Sequence, residues 1–236
     1  MIIISRIYRK TIKMSKENNP QQKSLKRGSR DLKVIIVGDS GTGKTSFVNK
    51  YILDKFAESY QATIASQFSF KILKIDDVMY RLQFWDIAGQ DRNPGTTKIF
   101  CKDSNGIVLC CETNNKTTLD NTLKWKESLE QNINIENIPI IIVENKCDLL
   151  GQSEEEYNQG IEELKKFCDE NNIKGCFRTS AMTGYGIENA MNFLIKEIIS
   201  LNNFNENFDE EESIRETIAL SEKPHYSIRA NRNKCC

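Results

Sequence analysis

The sequence contains no continuous apolar run approaching the ~20 residues that a membrane-spanning helix needs. Its longest apolar runs, such as IPIIIV at 138–143, have the length of buried strands. The opening stretch MIIISRIYRKTIKMSK has too short an apolar part for a secretory signal. We therefore predict that this chain does not cross a bilayer.

Cysteine pairs with metal-binding or redox spacing are also missing. The eight cysteines show no CxxC spacing, although Cys110–Cys111 and Cys235–Cys236 are adjacent. This usage fits a reducing cytosol better than an oxidising compartment. The single histidine, His225, lies close to the C-terminal end, and we expect it to be inert.

Net charge is absent as well, because 33 Lys and Arg residues balance 33 Asp and Glu residues. This balance argues against a generic nucleic-acid-binding protein. The distribution is uneven, since Glu17 is the only acidic residue up to Arg30. We predict that residues 1–30 form a basic, disordered extension, with contact to anionic lipid as the alternative to a solvated segment.

Strand-like and helix-like segments alternate along the chain. Short apolar runs predict strands at LKVIIVG, FSFKILKI, YRLQFW, GIVLCCE and IPIIIVE, with a hairpin turn at Asp76–Asp77. Helical patterns cover KTSFVNKYIL, TTLDNTLKWKESLEQN, SEEEYNQGIEELKKFCDENN and GIENAMNFLIKEIISL. The order predicts an α/β fold with a mainly parallel sheet, helices on both faces and one antiparallel hairpin.

The stretch VIIVGDSGTGKTS at 34–46 joins a predicted strand to a predicted helix through a glycine-rich turn. Gly38, four residues, and then Gly43-Lys44-Thr45 fit the P-loop pattern. Such a loop wraps its N–H groups around phosphates, Lys44 bridges the β- and γ-phosphates, and Thr45 offers a hydroxyl to Mg²⁺. The alternative is a turn that only connects two elements. The strand and helix on either side favour the phosphate site.

A second motif indicates which base is bound. Asn145-Lys146-Cys147-Asp148 follows a predicted buried strand. The Asp148 carboxylate can accept hydrogen bonds from both the ring N–H and the exocyclic amine of guanine, a donor pair that adenine lacks. A dry site built on such bonds discriminates by roughly 10⁴-fold. An NKxD string alone is common in hydrophilic loops, but its position after a P-loop favours GTP over ATP.

From about Leu32 to Leu201 the chain resembles the small GTPases of the Ras superfamily, and its Cys-Cys ending resembles the Rab branch. The family motifs occur in order as GDSGTGKTS, TIASQF, WDIAGQDR, NKCD and TSAM. The resemblance implies a P-loop NTPase fold: a mainly parallel six-stranded sheet, one antiparallel edge strand, and helices on both faces. It implies a GTPase domain at 31–201, a flexible tail at 202–236, and GTP or GDP with Mg²⁺ as cofactors.

The resemblance also implies residue roles. Catalysis is assigned to Gln90, which orients the attacking water, together with Lys44 and Thr63. Metal binding is assigned to Thr45, to Thr63 in the segment called switch I, and to Asp86 through water. The implied nucleotide-binding residues are Asp39, Ser40, Gly41, Thr42, Gly43, Lys44, Thr45, Ser46, Phe56, Thr63, Gly89, Asn145, Lys146, Asp148, Ser180 and Ala181.

These roles would make the nucleotide a conformational latch. Thr63 and the backbone N–H of Gly89 can grip only a γ-phosphate, so two segments become ordered with GTP and relax after hydrolysis. Taken singly, Asp86 could cap a strand end, Gln90 could be a solvated loop residue, and Phe56 could belong to the core.

Several residues depart from the Rab pattern. Members usually read TIGxDF, AGQERF and YYRGA where this chain reads TIASQF, AGQDRN and FCKDS. Ala65 replaces a glycine, Asn93 replaces an aromatic residue, and Met182 stands where lysine is usual beside the base. Because Pro fixes φ and Gly loosens the chain, Pro94–Gly95 predicts an irregular switch II, the segment that follows Gly89. These departures affect effector identity more than nucleotide binding.

The ending NRNKCC resembles the double geranylgeranyl acceptor of Rab proteins, with Cys235 and Cys236 as the lipidated residues. Two lipid chains make an anchor that holds until a carrier protein extracts it. The resemblance implies four kinds of partner: an exchange factor, a GTPase-activating protein, a lipid-extracting carrier, and effectors. We expect the protein to lie at the cytoplasmic face of an intracellular membrane, with a second pool of it in the cytosol. The alternative is a tail that happens to end in cysteine.

Two functions remain open at this point. The first is a lipid-anchored switch that hydrolyses GTP slowly and recruits effectors in vesicle trafficking, as Gln90 and Thr63 favour. The second is a nucleotide-binding interaction module locked in one state, as Asn93 and Pro94 favour. A P-loop kinase or ATPase is a more distant third class, against which Asp148 argues.

Overall fold

The computed structural model describes residues 29–57, 63, 66–89, 94–151 and 153–202. The chain divides into two compact units, Met1–Ile198 and Ile199–Cys236. The first unit contains the sheet described below, and in the second unit residues 199–202 are helical. Most of the predicted basic extension and nearly all of the predicted tail lie outside the described residues.

Six strands form one sheet in the order β2-β3-β1-β4-β5-β6. Their bounds are β1 (Ser29–Val37), β2 (Gln67–Ile75), β3 (Val78–Asp86), β4 (Gly106–Glu112), β5 (Ile140–Asn145) and β6 (Gly175–Arg178). Neighbours pair in parallel except for β2, which pairs antiparallel with β3 at one edge. This confirms the predicted sheet. β1 starts earlier than expected, because Ser29 already pairs with Met79.

Four of the five α-helices in the described residues follow the predicted segments closely, and the second in chain order was not predicted. Their bounds are α1 (Lys44–Leu53), α2 (Pro94–Cys101), α3 (Lys116–Glu130), α4 (Glu154–Glu170) and α5 (187–202), with a short 3₁₀ helix at Cys147–Leu149. α4 begins in a capping box, in which Ser153 accepts from the Glu156 N–H and the Glu156 carboxylate accepts from the Ser153 N–H. Within the described ranges, no helix is both long and apolar enough to cross a membrane.

Two layers of helices cover the sheet because successive strand residues point to opposite faces. On one face Ile107 packs in a buried cluster with Trp125 of α3. On the other face Gly106 makes room for Ile198 of α5, where an added Cβ would lie 2.7 Å from the Ile198 Cδ1 atom. β4 and β5 are therefore buried on both sides, as their continuous apolar runs predict.

The predicted hairpin turn at Asp76–Asp77 is confirmed. Ile75 pairs directly with Val78, so two residues close the turn. Asp76 has φ 46° and Asp77 has φ 63°, both in the left-handed region. A two-residue turn of this kind matches the right-handed twist of the strands it joins.

Residues 94–101 correct one expectation. Pro94–Cys101 is a regular helix, so the predicted irregularity of switch II is wrong from Pro94 onward. Proline fits the first position of a helix, because the N–H it lacks would have no helical partner there and its fixed φ suits the helix. Residues 90–93 lie outside the described residues.

Candidate functional site

The sequence motifs converge at one edge of the sheet. The loop 38–43 follows β1, the NKCD segment begins at the last residue of β5, and Ser180 lies two residues after the end of β6. These are the carboxyl ends of parallel strands, where open α/β sheets bind their ligands. The fold therefore gathers loops that are far apart in sequence.

Glycines allow the loop 38–43 to pass close to its neighbours. Gly38 has φ +148°, and a Cβ there would lie 2.1 Å from the main-chain oxygen of Cys110. Gly43 has φ +89°, and a Cβ there would lie 2.3 Å from Asn145 Nδ2. A side chain at Gly38 would have to displace β4, and a side chain at Gly43 would have to displace the Asn145 amide. The backbone path therefore requires glycine at both positions.

Lys44 lies folded over this loop at the first position of α1. Its Nζ atom donates to the main-chain oxygens of Gly38 and Asp39 at 2.8 Å each. The residue is 5% exposed. A lysine held in this way places its positive charge at the mouth of the loop, next to a helix N-terminus, which is an arrangement suited to an anion.

Three oxygen-bearing side chains meet beside Lys44. The Thr45 and Thr63 hydroxyl oxygens are 2.8 Å apart, and the Thr45 hydroxyl donates to Asp86 Oδ2. Asp86 is 3% exposed, and its Oδ1 atom is buried with no hydrogen-bond partner among the described residues. Burial raises the pKa of the Asp86 carboxyl, while the Thr45 hydroxyl and the Lys44 charge lower it.

Asn145 joins three loops through its side-chain amide. Its Nδ2 atom donates to the Thr42 main-chain oxygen at 3.0 Å. Its Oδ1 atom accepts from the Ala181 N–H at 3.1 Å and from the Thr179 hydroxyl at 3.3 Å. The residue is 1% exposed. The amide therefore fixes the spacing between the loop 38–43, which we call the phosphate loop, and the loops that follow β5 and β6.

Other residues of the predicted base site lie around Asn145. Lys146 has φ 67° and pairs with Glu112 through Nζ and Oε1 at 3.0 Å. Asp148 lies exposed in the 3₁₀ helix, whereas Ser180 is fully buried and its hydroxyl oxygen accepts from the Thr183 N–H. The predicted base site thus combines the buried side chains of Asn145 and Ser180 with the exposed carboxylate of Asp148.

Comparisons with known proteins agree with this geometry. The model of the Ras family matches residues 33–200. Human Ras-related protein Rab-32 is 34% identical over 86% of this chain and 88% of its own length. Human Ras-related protein Rab-7L1 is 34% identical over 73% of this chain and 85% of its own. Rab-32A of Dictyostelium discoideum is 32% identical over 71% and 77%.

The chain belongs to the Rab branch of the Ras family. It is a small GTPase, and Ras-family GTPases bind GTP or GDP together with Mg²⁺. The predicted resemblance to this family is confirmed. The assignments of individual residues to the nucleotide and the metal stay predictions.

The oxygen donors fit a magnesium ion. Mg²⁺ prefers oxygen ligands in an octahedral arrangement and keeps several waters. Two hydroxyls from Thr45 and Thr63 and a buried carboxylate from Asp86 supply this chemistry, and Asp86 Oδ1 is a buried acceptor with no donor among the described residues. A cation would satisfy that oxygen, so the residues present suit the metal that this Rab protein is expected to hold.

The remaining predicted residues are placed unevenly. Gly89 lies against the phosphate loop, where an added Cβ would be 2.4 Å from the Ser40 nitrogen. Phe56 is partly exposed at the surface and is not part of the core, and Met182 is 58% exposed. Thr42 is buried and Ser46 is half-buried in α1. Gln90, Cys235 and Cys236 lie outside the described residues.

Two site residues were not identified from the sequence. Asn121 Nδ2 donates to Asp39 Oδ2 at 2.6 Å, and Trp125 Nε1 donates to Asp39 Oδ1 at 3.0 Å. Both belong to α3 and are four positions apart, so they share one face of the helix. That spacing within LDNTLKWK was the available signal, but Asp39 lies 82 and 86 positions away from them.

An aromatic cluster was also not predicted from the sequence. Trp85 of β3 packs edge-on against Phe68 of β2, with ring centroids 5.2 Å apart. Its other neighbour is Phe100 of α2 at 5.7 Å. The cluster lies between the strands that follow switch I and the helix of switch II, so aromatic residues are present in this region despite the departure at Asn93.

Proposed function

We propose that this chain is a GTP-binding molecular switch that hydrolyses GTP slowly and recruits effectors in intracellular vesicle trafficking. The observation that carries the proposal is the contact between the hydroxyl groups of Thr63 and Thr45, because Thr45 also donates to Asp86. A residue from switch I lies at the candidate metal site, next to the phosphate loop. A ligand bound there can therefore change the conformation of switch I, a segment that partner proteins would contact.

The proposed binding mode uses the phosphate loop and Lys44 for the phosphates. Backbone N–H groups of the loop and of the first turn of α1 would donate to the phosphate oxygens, and the dipole of α1 favours their negative charge. Thr45, Thr63 and Asp86 would hold Mg²⁺, which neutralises charge on the β- and γ-phosphates. The Lys44 ammonium has three N–H donors, so it would donate to phosphate oxygens while it keeps its contacts with the Gly38 and Asp39 carbonyls. Gly89 would donate its N–H to the γ-phosphate.

The proposed base site pairs Asp148 with guanine. The carboxylate accepts from the ring N–H and the exocyclic amine, while Ser180 and Ala181 offer backbone groups to the base. The Lys146 stem and the Phe56 ring cover its faces. Asn145 holds these loops at a fixed distance from the phosphate loop through its three hydrogen bonds. Guanine specificity follows because adenine would leave the carboxylate unpaired.

Hydrolysis in this proposal depends on Gln90 and on a partner. Gln90 orients the attacking water, and the phosphate charge is stabilised by Lys44. Intrinsic hydrolysis in Ras-type switches proceeds at about 10⁻⁴ s⁻¹ until an activating protein supplies an arginine. A slow intrinsic rate leaves the triphosphate state long-lived, so hydrolysis ends a signal.

Single-turnover hydrolysis tests the proposal. The native protein, loaded with GTP and Mg²⁺, should convert it to GDP slowly, and Gln90→Leu should lower that rate while GDP affinity is kept. Gln159→Leu is the matched control, because Gln159 is exposed on α4. No effect of Gln90→Leu on an already negligible rate would instead support the second candidate, a module locked in one nucleotide state.

Membrane attachment is proposed through geranylgeranyl groups on Cys235 and Cys236. Two chains would anchor the protein to the cytoplasmic face of an intracellular membrane, and a carrier protein would maintain a cytosolic pool. Intact-mass measurement of protein from cells should show two added lipids. Replacing both cysteines by serine should remove the added mass and move the protein to the soluble fraction.

Effectors and regulators are proposed to distinguish the two nucleotide states. The cluster of Phe68, Trp85 and Phe100 joins the strand after switch I to the switch II helix, so it can respond to both segments. Protein loaded with a non-hydrolysable GTP analogue should capture effectors that GDP-loaded protein does not, and Trp85→Ala should abolish that difference. An exchange factor should favour the nucleotide-free form.

A further inference from the structure

The phosphate loop is fastened to a helix outside the recognised motifs. The Asp39 carboxylate accepts a hydrogen bond at Oδ2 from Asn121 Nδ2 at 2.6 Å and one at Oδ1 from Trp125 Nε1 at 3.0 Å. Asp39 is the second residue of the loop 38–43. We call these three residues the α3 clamp.

The α3 side of the clamp is rigid. Trp125 is almost fully buried and packs in the core cluster with Leu129 one turn further along and with Ile107 of the sheet. Asn121 lies one turn earlier on the same face, half-buried. Because close-packed interiors resist small displacements, the two donors have fixed positions relative to the sheet. The Asp39 side chain is therefore held in one orientation, toward α3.

The main chain of Asp39 holds the working parts of the loop. Its carbonyl oxygen accepts from Lys44 Nζ at 2.8 Å and from the Thr42 hydroxyl at 2.9 Å. One residue therefore connects α3, through its side chain, to the lysine and threonine of the loop, through its backbone. A shift of Asp39 would move the groups that would surround the phosphates.

Charge gives the clamp a second effect. A carboxylate beside a phosphate site repels the ligand, and this repulsion strengthens where water is excluded. Two donated hydrogen bonds draw the Asp39 carboxylate toward α3, and bonds to a charged acceptor are stronger than neutral ones. The clamp thus makes an acidic residue compatible with a binding loop for a polyanion.

We propose that Asn121 and Trp125 are positioning residues that act through Asp39 and set the rate at which bound guanine nucleotide is released. This inference rests on the proposed function, because it concerns the same phosphate site. The two side chains donate to Asp39 of the phosphate loop, so we expect them to affect the residence time of the nucleotide and not the choice of base.

Dissociation of a fluorescent GDP analogue from the full chain with Mg²⁺ tests this. Trp125→Phe removes the indole N–H but keeps most of the ring, and Asn121→Leu removes the amide at similar size. Each should speed release at least about fivefold, as expected for losing a hydrogen bond to a charged acceptor. The association rate should change less than twofold, and GDP should stay preferred over ADP.

Two comparisons separate positioning from packing. Leu129→Val loosens the same helix without touching the loop, and it should lower the melting temperature but leave release within twofold of the native rate. In an Asp39→Ala background, Trp125→Phe should have less than a twofold effect, because its acceptor is gone. Asp39→Asn, which keeps an acceptor oxygen, should release GDP more slowly than Asp39→Ala.

The outcomes distinguish the clamp from the proposed function. If the native chain binds the GDP analogue but both α3 variants release it at the native rate, the clamp is refuted and the function stands. Equal acceleration by Leu129→Val, or an undiminished effect of Trp125→Phe beside Asp39→Ala, would also refute it. Failure of the folded native chain to bind the analogue would overturn the proposed function and the clamp together.

Discussion

Asp148 is the residue on which base recognition depends in the proposed site. It is exposed at the edge of the sheet, one residue beyond Cys147, whose N–H is held by the Thr179 main-chain oxygen at 3.0 Å. Replacing the carboxylate by an amide keeps the shape and exchanges one acceptor for a donor. Asp148→Asn should therefore weaken GDP binding by at least about 100-fold and improve xanthosine diphosphate binding.

Competition against a fluorescent guanine nucleotide measures this change directly. The native protein should be displaced by GDP and hardly by xanthosine diphosphate, and the variant should reverse that preference. Asp169→Asn, an exposed position on α4, controls for the loss of one surface charge. Guanine selectivity retained by Asp148→Asn would contradict the assignment of this carboxylate to the base.

Two glycines of the phosphate loop offer a matched comparison. Gly41 and Gly43 both have positive φ, 83° and 89°. A Cβ on Gly41 would have no atom of the described residues within 4 Å, whereas one on Gly43 would lie 2.3 Å from Asn145 Nδ2. Both alanine variants bear backbone strain of about 1 kcal/mol. Gly43→Ala must also displace the Asn145 amide and its three hydrogen bonds.

Thermal and urea unfolding should therefore separate the two variants. We expect Gly43→Ala to lower the free energy of unfolding by about 2 kcal/mol more than Gly41→Ala, since each lost hydrogen bond costs about 1 kcal/mol. Equal destabilisation by both variants would mean that Asn145 does not brace the loop.

At this scale the sequence located residues that share one contiguous motif, and it missed contacts between residues far apart in the chain. Lys44 and Thr45 could be found because the P-loop pattern is contiguous. Asn145 was assigned to the base by its motif, but its contact with Thr42 spans 103 positions and follows only from the folded sheet. The Asp39 partners on α3 were hidden for the same reason.

Among the secondary-structure elements, β5, β6 and α4 are joined by a buried ion pair. Arg178 Nε donates to Glu144 Oε2 at 2.7 Å, and Arg178 Nη1 donates to the Tyr157 main-chain oxygen at 2.8 Å. Gly160 of α4 admits the guanidinium, since a Cβ there would be 2.2 Å from Arg178 Nη2. Burial raises the pKa of the Glu144 carboxyl, and the Arg178 charge counteracts that increase.

Removing one partner should cost more than removing both. Arg178→Met leaves the Glu144 carboxylate buried without its cation, so the free energy of unfolding should fall by about 3–5 kcal/mol. The double variant Glu144→Leu with Arg178→Met should recover much of that loss, because an apolar pair of similar size needs no compensating charge. Urea unfolding measures the free energy of unfolding of both variants. A double variant that is less stable than Arg178→Met would contradict this account.

Elements with strong periodicity were predictable, and elements defined by context were not. α1 and β4 occupy the predicted stretches because an apolar pattern extends over most of each element. β6 has only four residues, Gly175–Arg178, and was not located from its pattern. Pro94 was misjudged because a proline that breaks a helix interior is compatible with its first turn.

For the molecule as a whole, the proposed function requires the sheet to act as a fixed frame while the loops at its carboxyl edge respond to ligand. The buried runs of β4 and β5 lie at the centre of this frame. Thr63 and Gly89 come from loops on either side of the β2–β3 hairpin and both lie at the phosphate loop. A γ-phosphate would give each a partner that a diphosphate lacks, so the ligand difference is confined to these loops.

Hydrogen exchange with either nucleotide bound tests this behaviour. Peptides containing Thr63 and Gly89 should exchange more slowly with a non-hydrolysable GTP analogue than with GDP, whereas peptides of β4 and β5 should not change. Thr63→Ala should remove the difference in its own segment, because the methyl group cannot bind the metal. Thr63→Ser keeps the hydroxyl and should restore most of it. Equal protection of both segments in the two nucleotide states would show that the third phosphate orders neither loop, and the protein could not then act as a switch by this route.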